Sequence, residues 1–176
     1  ELCDTYHMPL FLDGARLGYG LMAGETDVTL KVIAEYCDAF YIGGTKVGAL
    51  FGEAVVLPKK DRIPHFFTMI KQRGALMLGI QFDTLFTDDL YFKISRHAID
   101  MAMKMKQGFL EKGYALYLDS MTNQQFVVLE PEKLKALSEK VTFGFWENLE
   151  DGRTVVRFAT SWATLETDVD ALLALI

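Results

Sequence analysis

Two short apolar runs, each closed by glycine and a charged side chain, constrain this chain most. Met8-Pro9-Leu10-Phe11-Leu12 runs into Asp13-Gly14, and Ala39-Phe40-Tyr41-Ile42, led by Asp38, runs into Gly43-Gly44-Thr45-Lys46. Apolar runs this short, bounded by turn residues, read as strands buried inside a covered sheet. Between them, Asp27 to Tyr36 places Val28, Val32, Ile33 and Tyr36 at helical spacing, with Asp27 as the expected N-cap. Glu53 to Leu57 reads as a third strand, stopped by Pro58. Strand, helix and strand in this order predict a βαβ unit in a largely parallel sheet. Ligands of such sheets gather at the carboxyl ends of the strands, which is where Asp13 and Lys46 fall.

Past Pro58 the pattern changes. Ile63 to about Leu90 is mixed and partly helical. Ile94 to Lys112 reads as a long amphipathic helix stopped by Gly113. Strands are expected at 114–118, 125–129, 142–147 and 154–160, with the turn signal Glu150-Asp151-Gly152 between the last two. Pro131 opens a helix over 132–140, and Thr164 is the expected cap of a final helix whose first turn carries Glu166 and Asp168. The expected division is therefore residues 1–94, part of a larger α/β domain, and residues 95–176, a small α+β domain with an antiparallel sheet.

Composition narrows the function classes. The formal net charge is −6, and the 18 basic residues are spread along the chain. Nucleic acid needs a concentrated basic patch, so it is not an expected partner. No apolar run approaches the roughly 20 residues of a membrane-spanning helix, and the start of the chain has no signal-peptide pattern. Cys3 and Cys37 do not make a disulfide framework, so both are expected as small core fillers in a reducing, cytoplasmic compartment. His7, His65 and His97 form no ligand pair at helical spacing, so no metal site is expected. His7 and His97 read as surface residues, and His65 is left open. Met101, Met103 and Met105 read as helix core. The chain begins at Glu1 and reads as a piece of a longer protein.

Three residues could carry chemistry, and each has an ordinary reading beside it. Lys46 follows two glycines at a strand end, where close backbone approach lets an amine reach a carbonyl ligand; it also fits a solvent-facing loop lysine. Asp13 fits a carboxylate facing a cation, Arg16 or a protonated ring nitrogen, and equally the aspartate of an Asx-turn. Arg157 interrupts the apolar strand Val155-Val156-Arg157-Phe158-Ala159, where it could grip a planar anion or point to solvent from an edge strand.

Taken together, Leu12-Asp13-Gly14-Ala15-Arg16, the helix, Asp38 through Lys46 with Gly48, and the closing Val156-Arg157-Phe158-Ala159-Thr160-Ser161-Trp162 resemble the threonine aldolase family. The nearest branch is the low-specificity threonine aldolase or phenylserine aldolase. The resemblance implies the fold-type-I, aspartate-aminotransferase-like architecture, with a partial large domain and a small C-terminal domain. It implies a pyridoxal 5'-phosphate-dependent lyase that cleaves β-hydroxy-α-amino acids to glycine and an aldehyde, working as a homo-oligomer, dimer or tetramer.

By position, the resemblance implies that Lys46 is the catalytic lysine carrying the cofactor as a Schiff base. Asp13 then sits on the ring nitrogen, Arg16 near the ring hydroxyl and substrate, and Arg157 on the substrate carboxylate. A tryptophanase-like β-eliminating lyase and a non-catalytic assembly module are the alternative readings. Two departures stand out. A preceding half, with its phosphate grip and ring-stacking histidine, is not in the chain. The stretch Lys71 to Ile80 is also shorter than in relatives, so no phosphate-binding residue is assigned.

Overall fold

The computed structural model describes residues 1–59, 65 and 76–176. Within these, the chain divides into two compact units: residues 1–21 with 25–93, and residues 22–24 with 94–176.

In the first unit the order is α1 (Leu2–Thr5), β1 (Phe11–Leu12), α2 (Leu17–Leu21), α3 (Leu30–Tyr36), β2 (Ala39–Gly43), β3 (Glu53–Val56) and α4 (Leu76–Phe86). The sheet order is β1-β2-β3, with β1 parallel to β2 in the register Phe11↔Ala39 and Leu12↔Phe40. This is the expected strand–helix–strand unit. The helix, however, starts at Leu30 and is capped by Thr29, whose Oγ1 accepts the Val32 N–H at 3.2 Å, rather than by Asp27. The cap accepts an orphan N–H of the first turn.

β3 departs from the expected parallel sheet by pairing antiparallel with β2, Gly43 opposite Glu53. Chain length explains this. Residues 44–52 are too few for a parallel crossover, which needs about a dozen residues or more. β1 is also shorter and more open than expected: Phe11 is 59% exposed. The buried side chains of this unit include Tyr19, Phe40, Ile42, Val47 and Tyr91.

A 3-10 turn at Thr87–Asp89, with Asp88 at φ 51°, precedes α5 (Leu90–Glu111). That helix therefore begins four residues before the expected Ile94. The second unit continues with β4 (Ala115–Leu116), β5 (Gln124–Leu129), α6 (Pro131–Ser138), β6 (Gly144–Asn148), β7 (Thr154–Ala159) and α7 (Glu166–Leu175). The sheet is antiparallel throughout, in the order β4-β5-β7-β6. Pro131 opens α6, as its preset φ favours.

One sheet face packs Val127, Leu129, Val156 and Phe158 against Met105 and Phe109 of α5 and Val169 of α7. Alternation places these side chains on a single face. Met101 packs beside the cluster, so the helix methionines at 101 and 105 belong to the core. Thr160 Oγ1 ties the end of β7 to α5 by donating to the Ala98 carbonyl at 2.6 Å.

Three local expectations change. Thr164 does not cap α7: Leu165 holds the N-cap position, and Thr164 Oγ1 instead accepts the Ser161 N–H at 2.8 Å. His97 is half-buried, its Nε2 2.8 Å from the Thr164 carbonyl, whereas His7 and His65 are exposed. Cys37 is buried, but Cys3 is only half-buried. The shortened stretch from Lys71 lies outside the described residues through position 75. Among the described residues, no helix is long and apolar enough to cross a membrane, and no cluster of His, Cys, Asp or Glu could hold a metal ion.

Candidate functional site

The loops carrying Asp13 and Lys46 are locked together by backbone. The Gly43 N–H donates to the Gly14 carbonyl at 2.9 Å. A Cβ on Gly14 would lie 1.7 Å from the Tyr41 carbonyl oxygen, and one on Gly43 would lie 2.5 Å from the Ala15 oxygen. Only glycine permits this approach at both positions. The two motifs therefore occur together because each supplies the gap the other occupies. Expected to admit a ligand, Gly43 in fact admits the neighbouring loop.

Side chains from elsewhere hold the Lys46 loop. Glu53 accepts the Gly44 N–H at 2.6 Å and the Thr45 hydroxyl at 3.1 Å. Tyr19 donates its phenol to the Lys46 carbonyl. Tyr91, fully buried, donates to the Gly43 carbonyl and accepts the Gly18 N–H, both at 3.0 Å. Burial, above all, pushes the Tyr91 phenol pKa up, so it remains a neutral donor. The Lys46 side chain itself is exposed, and its amine makes no hydrogen bond or ion pair among the described residues.

Asp13 is exposed and forms the Asx-turn of the ordinary reading, accepting the Ala15 N–H at 3.1 Å. It also accepts the phenol of Tyr41. The Tyr41 hydrogen bond, then the Ala15 N–H, and more weakly the charge of Lys46 hold its carboxyl below the usual carboxylate range. The same bond, chiefly, pushes the Tyr41 phenol up to about 12. Arg16 does not pair with Asp13: among the described residues its guanidinium makes no ion pair. Because Asp13 is exposed rather than buried, it needs no cationic partner to offset desolvation.

Arg157 lies in the other unit. Its strand is central, paired to β5 through Phe126 and to β6 through Gly144, so the edge-strand reading fails. Its guanidinium runs beside Gly144, where a Cβ would lie 3.4 Å from Nε. It borders a cavity of about 550 Å³ that is also lined by Thr142, Phe143, Thr160 and Asp168. Among the described residues it has no ion pair.

Sequence reasoning missed the four side chains that brace the first unit's loops: Tyr19, Tyr41, Glu53 and Tyr91. Only Tyr41 left a readable signal, because strand alternation puts it on the Asp13 side of β2 once β1 and β2 are paired. Tyr19 and Tyr91 arrive from helices distant in sequence.

No family model matches the chain, and no curated protein does. Solved structures do. Threonine aldolase from Leishmania major is 38% identical over 98% of this chain and 52% of its own, with a TM-score of 0.90. The chain belongs to the threonine aldolase family.

More distant matches share the architecture alone. Catharanthus roseus tryptophan decarboxylase in complex with L-tryptophan is 12% identical, with 99% of this chain and 44% of its own covered, at a TM-score of 0.71. Sphingomonas wittichii serine palmitoyltransferase is 14% identical over 99% of this chain and 47% of its own, at 0.66. The fold is that of the fold-type-I pyridoxal-phosphate enzymes, present in part. The chain spans about half the length of the threonine aldolase it matches.

Proposed function

We propose that the protein to which this family member belongs is a pyridoxal 5'-phosphate-dependent lyase that cleaves β-hydroxy-α-amino acids to glycine and an aldehyde. The observation that carries this reading is the 38% identity to a threonine aldolase across nearly the whole chain. The residues present suit the cofactor. Lys46 offers an exposed primary amine with no competing hydrogen bond, held on a loop braced from three sides. Asp13 offers a carboxylate kept ionised by neutral donors, which fits a protonated ring nitrogen. When bound, pyridoxal phosphate supplies an electron sink for the pair released as Cα–Cβ breaks.

The chain's own residues then bind and orient. Lys46 would be the residue that holds the cofactor, through its exposed primary amine. Arg157 and Arg16 are each proposed as a partner for the substrate carboxylate, since a planar guanidinium matches it in two parallel hydrogen bonds. As the aldehyde forms, the β-hydroxyl must lose its proton to a base. Homo-oligomeric assembly, dimer or tetramer, belongs to the same proposal, and sedimentation of the complete gene product tests it.

The decisive experiment adds pyridoxal phosphate to the complete gene product and to its Lys46→Ala variant. The wild type is expected to develop the visible absorption of lysine-bound cofactor and to release glycine plus aldehyde. The variant is expected to lose both. An unchanged band in Lys46→Ala would remove Lys46 as the anchor, and pyruvate plus ammonia as products would replace aldol cleavage by β-elimination.

A further inference from the structure

The hydrogen bonds on Asp13 are one-sided. The Ala15 N–H and the Tyr41 phenol both donate to Oδ1, and among the described residues Oδ2 accepts nothing. Two donors on one oxygen restrain the carboxylate and leave its second oxygen open to a further donor. We propose that Tyr41 is the positioning residue of the cofactor site: it fixes the Asp13 carboxylate by Oδ1 so that Oδ2 is presented to the protonated ring nitrogen. This rests on the cofactor reading given above and extends it to a side chain outside the Asp-Gly-Ala-Arg and Gly-Thr-Lys motifs.

Three further observations support the role. Tyr41 is itself held, its ring packed against Phe11 at 6.0 Å between centroids and an interplanar angle of 42°. Phe11, in β1, stands two residues before Asp13, so one short segment carries both the carboxylate and the ring that packs on its donor. The phenol is protonated through the neutral range, as phenols ordinarily are, and its bond to the Asp13 carboxylate pushes its pKa up to about 12, so there it donates.

Asp38, just before β2, shows the contrast. It accepts the Leu10 N–H at 2.9 Å on one oxygen and the Lys59 ammonium at 3.1 Å on the other, so both oxygens are engaged. Asp13 has only neutral donors, and its charge is left for a cationic ligand. A neutral donor suits this task better than an arginine would, because it fixes the carboxylate without neutralising the charge the ring nitrogen needs.

The test is Tyr41→Phe in the complete gene product, which keeps the ring packed on Phe11 and removes only the hydroxyl. Two quantities are read. The first is the pH titration of the Asp13 carboxyl carbon by NMR in the cofactor-free protein, with Asp13→Asn to assign the signal. The second is the affinity for pyridoxal phosphate and the pH midpoint of its visible band.

In Tyr41→Phe the Asp13 titration is expected to move up toward the ordinary value. Cofactor affinity is expected to fall about threefold to tenfold, the effect of one hydrogen bond, with the band retained and its midpoint displaced. A band that Lys46→Ala abolishes but Tyr41→Phe leaves unchanged in affinity and midpoint would overturn the positioning role while sparing the cofactor reading. Failure of the wild type to take up pyridoxal phosphate would overturn both.

Discussion

The two units are held together by different means. In the second, a four-stranded sheet buries Val127, Leu129 and Val156 completely or nearly so beneath α5 and α7. In the first, β3 and the loop before it leave apolar side chains in solvent: Leu50 is 83% exposed and Val55 62%. Order at its strand ends comes instead from a glycine interlock and from tyrosine and glutamate side chains that hold loop backbone. Burial is non-directional and scales with area, so it stabilises a fold without aiming any one atom. Hydrogen bonds to loop backbone contribute less each, yet they set the direction in which Asp13 and Lys46 point. In the unit with the shallower core, side-chain bonds to loop backbone hold the candidate residues in place.

The largest effect that could break this contrast is Phe109→Ala. Phe109 is fully buried and touches the rings of Tyr114 and Phe158. Its removal is expected to cost about 3–5 kcal/mol in urea unfolding. A loss below about 1 kcal/mol would mean that the second unit does not depend on its core.

Next in size is Gly14→Ala. The added methyl meets the Tyr41 carbonyl, so the loop must move off β2, at an expected cost of about 1–3 kcal/mol. Amide exchange should locate the damage: Gly43 N–H loses protection while β5 and β7 keep theirs. Equal loss in both units would show that they do not respond separately.

Smallest are the pH limbs, because Asp13 is exposed and Tyr41 only half-buried. The folded state lowers the Asp13 value below 3.8, so its stabilising contribution is complete above that pH and is lost as pH falls through the folded value. Tyr41 runs the other way, from 10.0 to about 12: its contribution is complete below pH 10.0 and disappears as pH rises to about 12. Stability curves should lose the acid limb in Asp13→Asn and the alkaline limb in Tyr41→Phe. If either limb survives, the Asp13–Tyr41 bond does not couple folding to protonation.

Much of the second unit is legible because its signals are local. Alternation marks β5 and β7, Pro131 marks α6, and Asp151-Gly152 marks the hairpin, where Gly152 takes φ 87° and Arg153 folds back on the Asp151 carboxylate at 2.7 Å. The caps were misread at Asp27 and Thr164. Several polar side chains near each helix start are competent, and the choice depends on where the preceding chain enters. The parallel expectation failed at β3 because composition describes a strand's burial and not the length of chain available to return.

At the site, the sequence by itself determined the residue types and their order: Asp13-Gly14 after one strand, Gly43-Gly44-Thr45-Lys46 after the next, and an arginine inside a third. A strand's end and a glycine's freedom are written in a few adjacent residues. Only the tertiary structure decided what those residues meet. It turned Gly43 from a ligand gap into the socket of a neighbouring loop, moved Arg157 from an edge to a central strand, and brought Tyr41 to Asp13. Each of these depends on contacts between segments tens of residues apart, set by strand pairing and packing that no local window contains.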